Sequence, residues 1–303
     1  MYIQTSVPLR PKTTMRIGGT AKYFAELKTR EDIEEAVHFA AEHSIPLIPL
    51  GSGSNTIFAD GEIAALVVRL QNADVAVEKD HITVGAGKNL AMLINELAPL
   101  GLDLSALTGI PGTVGGAIFG NAGQGPKGIW IDAFVELVTA FVGGEWQTMK
   151  REECGFGYRE SGWKSGKCLP AGKAGKVESG RLLASILWEV VFVIPKGEPE
   201  AIKKNIESLL QKRIETQPHL KTAGSCFKAV GDTPAWKLID AAGLRGLKIG
   251  GVEISLKHAN FLMNVGDASY DDAVKIVEEV KQKIPKNLDV EMRFFDQNGT
   301  VRF

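Results

Sequence analysis

The chain has 303 residues, about twice the length of a typical domain, so two compact units are expected rather than one small module. Hydrophobic residues make up 44% of it and charged residues 23%, which is typical of globular proteins and excludes a disordered or fibrous chain. Lysine and arginine number 35 against 36 aspartates and glutamates, a formal net charge of -1. Because this net charge gives the protein no overall positive field to attract an anionic surface, nucleic-acid and membrane partners are disfavoured.

The amino terminus has no signal-peptide pattern, and no apolar run reaches the ~18 residues that a membrane span requires. We therefore expect a cytoplasmic protein. The three cysteines, Cys154, Cys168 and Cys226, lie far apart, and no partner histidines stand at zinc-finger spacing. They are interpreted as free thiols, and no metal site is predicted.

The first part of the chain alternates helical and strand patterns. Residues 29–32 resemble a capping box, and the apolar positions after them recur at helical spacing, which predicts a helix that ends before Pro46. A second helix is predicted after Asn89, and apolar or β-branched runs predict strands at residues 45–50, 66–70, 81–84, 134–142 and 186–194. Residues 164–181 carry four lysines and four glycines and are predicted to form an exposed loop.

A linker-like composition at residues 195–199 marks the predicted domain boundary, which gives domains over residues 1–196 and 197–303. The second domain is predicted to contain a long helix after the linker, a helix at 234–242, strands at 247–254 and 260–265, and a helix capped by Ser269. A final strand is predicted at 288–294. Its period of two places Leu288, Val290, Met292 and Phe294 on one face and Asp289, Glu291 and Arg293 on the other.

Glycine accounts for 34 residues, about 11% against roughly 7% in average usage. Residues 51–56, Gly-Ser-Gly-Ser-Asn-Thr, follow an apolar strand, so backbone amides and small hydroxyls could surround an anionic group there. Thr56 replaces the third glycine of a dinucleotide-binding fingerprint, and residues 85–90 also lack that glycine. Taken alone, each of these clusters is better explained as a tight turn.

The segment 108–123 has six glycines among sixteen residues, with apolar side chains between them. A flexible linker would be polar, and glycine costs backbone entropy where the fold does not need it. We interpret this segment as backbone that lies against a flat or extended ligand.

Motifs along nearly the whole chain point to one family. The glycine segments 51–55 and 109–123 closely resemble the flavin-binding loops of the UDP-N-acetylenolpyruvoylglucosamine reductase (MurB) family. The resemblance continues in the family's order through residues 158–161, Arg213 with Gln217-Pro218, residues 223–225, 241–246 and 255–261, and Glu291. With no recognisable extra tyrosine insertion, the chain is similar to the compact type of the family.

The resemblance implies an α+β fold, in which a two-subdomain FAD-binding domain of the PCMH type precedes a smaller α+β substrate-binding domain. It implies a cytoplasmic flavoprotein oxidoreductase of peptidoglycan synthesis and cell-wall biogenesis, on which cell shape and cell division depend. Such an enzyme uses FAD and NADPH to reduce UDP-N-acetylglucosamine enolpyruvate to UDP-N-acetylmuramate. A monomer is compatible with it, and the preference for NADPH over NADH stays open. The implied FAD-binding residues are Leu50, Gly51, Ser52, Gly53, Ser54, Asn55, Thr56, Gly109, Ile110, Pro111, Gly112, Thr113, Gly115, Gly116, Ala117, Asn121 and Ala122.

The resemblance also implies three catalytic residues. Arg159 would stabilise the enolate and carboxylate of the substrate, Ser225 would donate a proton, and Glu291 would polarise the enol or relay that proton. Without the family, these residues are better explained as a surface ion pair, a turn residue and a solvated carboxylate. Three further cations, Arg213, Lys228 and Arg293, match substrate contacts, because a diphosphate and a carboxylate need cationic partners.

Some residues depart from the family pattern. After Phe227-Lys228 the family usually continues with Asn-Pro, whereas this chain has Ala229-Val230, which puts one amide contact to the substrate in doubt. Residues 124–126 replace a common aromatic and glycine, and the loop after Arg159 is longer than expected. Two alternatives stay open: another FAD-dependent oxidoreductase of the same flavin-domain type, and a flavin-binding module without turnover.

Overall fold

The computed structural model describes residues 1–124, 128–168 and 185–303, and these form two compact units. The first unit contains Met1–Ile3, Ala25–Gly51 and Leu66–Gln211, and the second contains Gln4–Phe24, Ser52–Ala65 and Lys212–Phe303. The chain therefore alternates between the units. The boundary between residues 196 and 197 was predicted from composition, and it stays a prediction.

Strands and helices alternate along the described part of the chain. The strands are β1 (Ile3–Pro8), β2 (Thr20–Leu27), β3 (Leu47–Pro49), β4 (Thr56–Phe58), β5 (Glu62–Leu70), β6 (Val75–Glu78), β7 (His81–Gly85), β8 (Val135–Val142), β9 (Glu145–Lys150), β10 (Ser185–Val193), β11 (Thr222–Ser225), β12 (Lys248–Ile249), β13 (Val252–Ile254), β14 (Phe261–Asn264) and β15 (Arg293–Phe295). The helices are α1 (Arg30–Glu42), α2 (Leu90–Leu97), α3 (Val114–Phe119), α4 (Pro199–Thr216), α5 (Ala235–Ala241) and α6 (Tyr270–Lys283). The predicted helices are confirmed, whereas no sequence pattern had indicated α3.

The predicted helix caps form as expected. Thr29 Oγ1 accepts from the backbone N–H of Asp32 at 3.2 Å, and the Asp32 carboxylate accepts from the N–H of Thr29 at 3.1 Å. The side chain of Asn89 caps α2, and that of Ser269 caps α6. These side chains satisfy amide groups that the first turn of a helix leaves without a partner, so the helices begin where the sequence indicates.

The first unit is built on an antiparallel sheet of order β6-β7-β10-β8-β9. Its buried side chains, among them Val84, Val138 and Val190, pack in one core with the apolar faces of α2 and α3. In the same unit, β3 pairs in parallel with the end of β5. This core supports both ends of the glycine-rich segment that contains α3.

The second unit has a small antiparallel sheet of order β11-β14-β13-β12, with α6 packed beside β12 and β13. The face of α6 that carries Ala273, Val277 and Val280 is fully buried. A separate parallel pair joins β15 to β4, with Phe294 opposite Ile57. This pair brings the carboxyl-terminal residues beside the first glycine loop.

Three predictions need qualification. The final strand was predicted over residues 288–294, but the ladder begins at Arg293; the predicted alternation holds in part, since Leu288, Met292 and Phe294 are buried and Asp289 is exposed, whereas Val290, Glu291 and Arg293 are half-buried. The predicted strand at 247–254 is divided into β12 and β13 by a turn in which Gly250 has φ +54°. Of the predicted loop 164–181, residues 169–181 lie outside the described residues, and Cys168 is buried. All three cysteines are free, as predicted.

Candidate active site

The two predicted glycine loops meet in the first unit. Gly51 follows β3, where the backbone N–H of Leu50 donates to the carbonyl of Val68 at 2.8 Å. A Cβ atom at Gly51 would lie 2.7 Å from Thr113 Oγ1, closer than side chains pack. Glycine therefore permits the close approach of the two loops at this point.

Packing explains several glycines of the segment 108–123. Gly109 and Gly112 have φ +79° and +122°, a region that other residues rarely adopt. A Cβ atom at Gly115 would lie 2.9 Å from the Cβ of Ala86, so this glycine lets α3 lie close to the segment after β7. These three positions need glycine for the fold, and the ligand contact predicted for the whole segment is not required there.

Gly116 is different. It is exposed at the start of α3, where its N–H donates to the capping hydroxyl of Thr113 at 3.2 Å. Among the described residues outside the helix backbone, a Cβ at Gly116 would meet that hydroxyl alone within 4 Å, at 3.4 Å. Packing does not require a glycine here, and the ligand contact expected at Gly116 from the sequence stays a prediction.

Asn121 is fully buried and has φ +41°. Its amide nitrogen donates to the carbonyl of Gly157 at 2.9 Å, and its amide oxygen accepts from the N–H of Asp132 at 3.2 Å. The side chain of Asn121 thus connects the glycine segment, part of the predicted FAD site, to the residues before Tyr158. Both ends of this side-chain amide are occupied by backbone groups, and the predicted contact of Asn121 with FAD stays a prediction.

Arg159 occupies a tight turn in the first unit. Gly157 and Glu160 exchange backbone hydrogen bonds, each 3.1 Å long, so Tyr158 and Arg159 are the two central residues of the turn. Arg159 has φ +58°, which is uncommon for a residue with a side chain. Such conformations cluster at functional sites, where the surrounding structure imposes them. Lys164 Nζ also donates to the carbonyl of Arg159, at 2.7 Å.

The first glycine loop continues in the second unit, where amino-terminal residues support it. Gly53 has φ +67°, and its carbonyl accepts from the N–H of Thr14 at 3.1 Å. Thr14 Oγ1 donates to the carbonyl of Thr222 at 2.6 Å, at the start of β11. Sequence reasoning missed Thr14, because these partners lie 39 and 208 residues away and no local pattern marks it.

Asn55 links this loop to Glu291. Its side-chain amide nitrogen donates to the backbone carbonyl of Glu291 at 3.1 Å, and the backbone carbonyl of Asn55 accepts from the N–H of Arg293 at 3.0 Å. Asn55 was predicted to bind FAD, and its side chain holds the segment that carries the predicted carboxylate. Glu291 is half-buried, whereas its sequence pattern alone had suggested solvent.

Ser225 and Glu291 lie in neighbouring backbone segments of the second unit. The N–H of Glu291 donates to the carbonyl of Cys226 at 2.7 Å, one residue beyond Ser225. A Cβ atom at Gly224 would lie 3.8 Å from the carbonyl oxygen of Ser54. The structure therefore places Ser225, Glu291 and the first glycine loop together. Cys226 is fully buried, and desolvation together with the nearby Glu291 charge raises the pKa of its thiol.

The predicted substrate-binding cations lie in three places of the second unit. Lys228 is half-buried and follows Ser225 in the same segment, where its N–H donates to the carbonyl of Asp289 at 2.9 Å. Arg293 stacks its guanidinium over the Phe295 ring at 4.7 Å, and burial lowers its pKa to about 10, so it stays charged at neutral pH. Arg213 is held in the last turn of α4.

Within residues 1–124, 128–168 and 185–303, no group of three or more histidine, cysteine, aspartate or glutamate side chains could hold a metal ion. The helices of this part of the chain are all too short or too polar to cross a membrane.

Comparison with known proteins decides the family. A model of an FAD-binding domain matches residues 21–149, and a model of the UDP-N-acetylenolpyruvoylglucosamine reductase C-terminal domain matches residues 217–294. A UDP-N-acetylenolpyruvoylglucosamine reductase from Rubrobacter xylanophilus is 32% identical over 94% of this chain and 91% of its own length. The chain belongs to the UDP-N-acetylenolpyruvoylglucosamine reductase family. The enzyme of that name from Dinoroseobacter shibae is 35% identical over 91% of this chain and 88% of its own.

A solved structure supports the same assignment for the fold. The crystal structure of UDP-N-acetylenolpyruvylglucosamine reductase (MurB) from Thermus caldophilus matches with a TM-score of 0.81 and 32% identity, over 97% of this chain and 99% of that one. The predicted α+β fold, with a PCMH-type FAD-binding domain and the C-terminal domain of the reductase family, is confirmed. As a member of this family, the protein is an FAD-dependent oxidoreductase.

The residues present fit FAD. Gly51 and Thr113 bring two backbone loops together, and Gly116 exposes backbone that packing does not cover. Small polar side chains follow Gly51 in the sequence, and those of Ser52 and Ser54 are half-buried. Backbone amides of the two loops that meet in the first unit suit a pyrophosphate, which needs several short donors around one pair of phosphates.

Proposed function

We propose that this protein catalyses the NADPH-dependent reduction of UDP-N-acetylglucosamine enolpyruvate to UDP-N-acetylmuramate, a step of peptidoglycan synthesis in the cytoplasm. The observation that carries this proposal is the placement of Ser225 beside Glu291 and the first glycine loop, in a segment matched by the reductase family's C-terminal domain. Another flavin oxidoreductase would give this serine and carboxylate no common task. FAD, when bound, supplies the hydride chemistry.

The glycine loops would hold the cofactor. Backbone amides around Gly51 and Gly116 would bind its pyrophosphate. Asn55 and Asn121 stabilise these loops, because their side-chain amides donate hydrogen bonds to backbone carbonyls of other segments.

Arg159 would stabilise negative charge on the substrate. Reduction of an enolpyruvyl group places charge next to its carboxylate, and a planar, always-charged guanidinium can pair with both oxygens of such a group. The tight turn over residues 157–160 fixes the backbone of Arg159, so the backbone need not rearrange when the guanidinium binds.

Ser225 would deliver the proton that completes the reduction. Ser225 is half-buried, so part of it can reach a bound substrate. Glu291, in the adjacent segment, would orient the Ser225 hydroxyl or return a proton to it. Lys228 and Arg293 would bind the anionic groups of the substrate from the same unit, and Arg213 would do so from the end of α4.

An anaerobic absorbance experiment in two steps tests this function. The FAD-loaded protein is first reduced with NADPH and is then mixed with UDP-N-acetylglucosamine enolpyruvate, and the flavin spectrum is followed in each step. We expect rapid reoxidation that needs this substrate. Reduction without reoxidation would favour a different flavin oxidoreductase, and FAD binding without reduction would favour a flavin-binding module.

The Ser225→Ala variant separates the two steps further. Reduction by NADPH should match that of the wild type, whereas reoxidation should slow by ~10²–10⁴-fold, the usual effect of losing a general acid. Ser52→Ala is the matched control, because it removes a hydroxyl of the cofactor loop. It should weaken FAD binding and leave the reoxidation rate of the loaded enzyme close to that of the wild type. Equal slowing of both steps in Ser225→Ala would reject the role of Ser225.

A further inference from the structure

The motif at residues 255–261 marks the chain as a family member, but the proposed mechanism gives it no task. Within it, Asn260 precedes β14 and is 6% exposed. Its amide oxygen accepts from the N–H of Phe227 at 3.0 Å, and its amide nitrogen donates to the carbonyl of Phe227 at 2.9 Å. Its backbone carbonyl accepts from the N–H of Cys226 at 2.8 Å. One asparagine thus pairs with both polar backbone groups of Phe227, as a neighbouring strand would.

The opposite edge of the same segment is paired as well. The N–H of Lys228 donates to the carbonyl of Asp289 at 2.9 Å, and the carbonyl of Cys226 accepts from the N–H of Glu291 at 2.7 Å. Phe227 therefore lies between Asn260 on one side and residues 289–291 on the other, and its side chain is 2% exposed. The position of Glu291 beside the segment depends on the same hydrogen bonds.

We propose that Asn260 is a positioning residue for the reduction: it fixes the segment that places the Ser225 hydroxyl and the Lys228 ammonium, and through that segment it fixes the backbone of Glu291. This role rests on the proposed function. Asn260 acts through Phe227 and Cys226 and needs no contact with the substrate.

The chemistry of the site explains why asparagine is suited to this position. The two groups of Phe227 require one donor and one acceptor at fixed separation, and an amide supplies both without charge. An ionised aspartate has the same shape but lacks the donor, and its charge would be buried. Serine is too short to reach both groups. Either change frees one side of the segment, and misplacement of a reacting group by about 1 Å can cost ~10²-fold in rate.

Asn264 offers a matched control in the same unit. It lies at the other end of β14, is also 6% exposed, and donates its amide nitrogen to the carbonyl of Met15 at 3.0 Å. Asn264→Asp therefore imposes the same loss of a donor and the same buried charge. It differs from Asn260→Asp in leaving both polar groups of Phe227 paired.

The test compares Asn260→Asp, Asn260→Ser and Asn264→Asp as FAD-loaded enzymes. For each one, the thermal midpoint, the rate of reduction by NADPH and the rate of reoxidation by UDP-N-acetylglucosamine enolpyruvate are measured over a range of substrate concentrations. We expect both aspartate variants to lose thermal stability. The Asn260 variants should keep the wild-type reduction rate and slow reoxidation at saturating substrate by ~10–100-fold, and Asn264→Asp should keep both rates within about 3-fold.

Each alternative result has a distinct meaning. Asn260 variants that reoxidise at the wild-type rate would overturn the positioning role. It would also be overturned if all three variants slowed both steps in proportion to their loss of stability, because Asn260 would then be structural. A wild type that is reduced by NADPH but is not reoxidised by the substrate would refute the proposed function and the positioning role with it. Asn260→Ser, which introduces no charge, keeps the test open if Asn260→Asp does not fold.

Discussion

Replacement of Gly53 by alanine tests whether the first glycine loop needs glycine at this position because the backbone of Lys12 and Thr13 lies against it. Gly53 has φ +67°, a conformation that costs a residue with a Cβ atom about 1–2 kcal/mol. The new Cβ would also lie against the Lys12 carbonyl and 2.7 Å from Thr13 Cα. These are backbone atoms, so the loop itself must move, at an overpacking cost of about 1–3 kcal/mol. The total loss of unfolding free energy is about 2–5 kcal/mol.

Gly243→Ala is the matched control for Gly53→Ala. Gly243 has φ +69° in the same unit, and no described atom lies within 4 Å of the position that an alanine Cβ would take there. This variant should therefore lose about 1–2 kcal/mol of unfolding free energy, from the backbone conformation alone and without a steric contribution. Urea unfolding of the FAD-free proteins measures both values, and the difference between them isolates the overpacking at Gly53.

Binding of FAD should report the same steric cost. If the loop moves away from Lys12 to accommodate alanine, FAD must restore its position, and about 1–3 kcal/mol corresponds to roughly 5- to 150-fold weaker binding. Titration of the FAD-free protein, followed by flavin fluorescence, gives the dissociation constant. Gly243→Ala should bind FAD as the wild type does. Equal losses of stability and of FAD affinity in the two variants would refute the steric explanation.

Three further predictions concern single side chains. Arg159→Lys retains the charge but loses the planar pair of donors, so reoxidation by the substrate should slow by ~10²–10³-fold with reduction by NADPH unchanged; a loss confined to the reduction step would contradict the assignment. Thr14→Val removes the hydroxyl that bonds Thr222, so unfolding in urea should show a loss of about 0.5–1.5 kcal/mol and FAD should bind more weakly; unchanged values would show that the hydroxyl does not support the loop. Burial raises the pKa of the Cys154 thiol from 9.0 to about 12, so in alkali the thiol ionises first in the unfolded chain. The wild type should lose about 1.4 kcal/mol of unfolding free energy from this group between about pH 8 and pH 10, and Cys154→Ser should lack that contribution; parallel pH profiles would contradict it.

Much of the secondary structure could be predicted because its causes are local. The caps of α1, α2 and α6 use side chains within three residues of the amides they satisfy, and the buried faces of these helices recur at helical spacing. The strand β10 was predicted from its β-branched residues. In contrast, α3 contains two glycines, which disfavour a helix, and it forms because Gly115 can pack against Ala86.

The candidate site could be predicted only in part. Family motifs named Ser225 and Glu291, but no pattern in the sequence showed that their segments are neighbours. The alternation at residues 288–294 correctly indicated that Leu288, Met292 and Phe294 are buried, but it did not reveal that regular pairing begins at Arg293. Periodicity can be recognised in a short stretch of sequence, whereas hydrogen-bond partners from distant segments cannot.

The sequence by itself determined where α1, α2 and α6 begin and which of their faces are buried, because caps and helical periodicity depend on residues a few positions apart. Tertiary structure alone decided that Asn55 holds the backbone of Glu291, 236 residues away, and that Asn260 pairs with Phe227, 33 residues away. Such contacts form when buried backbone groups must find hydrogen-bond partners from whichever segment the fold brings near them.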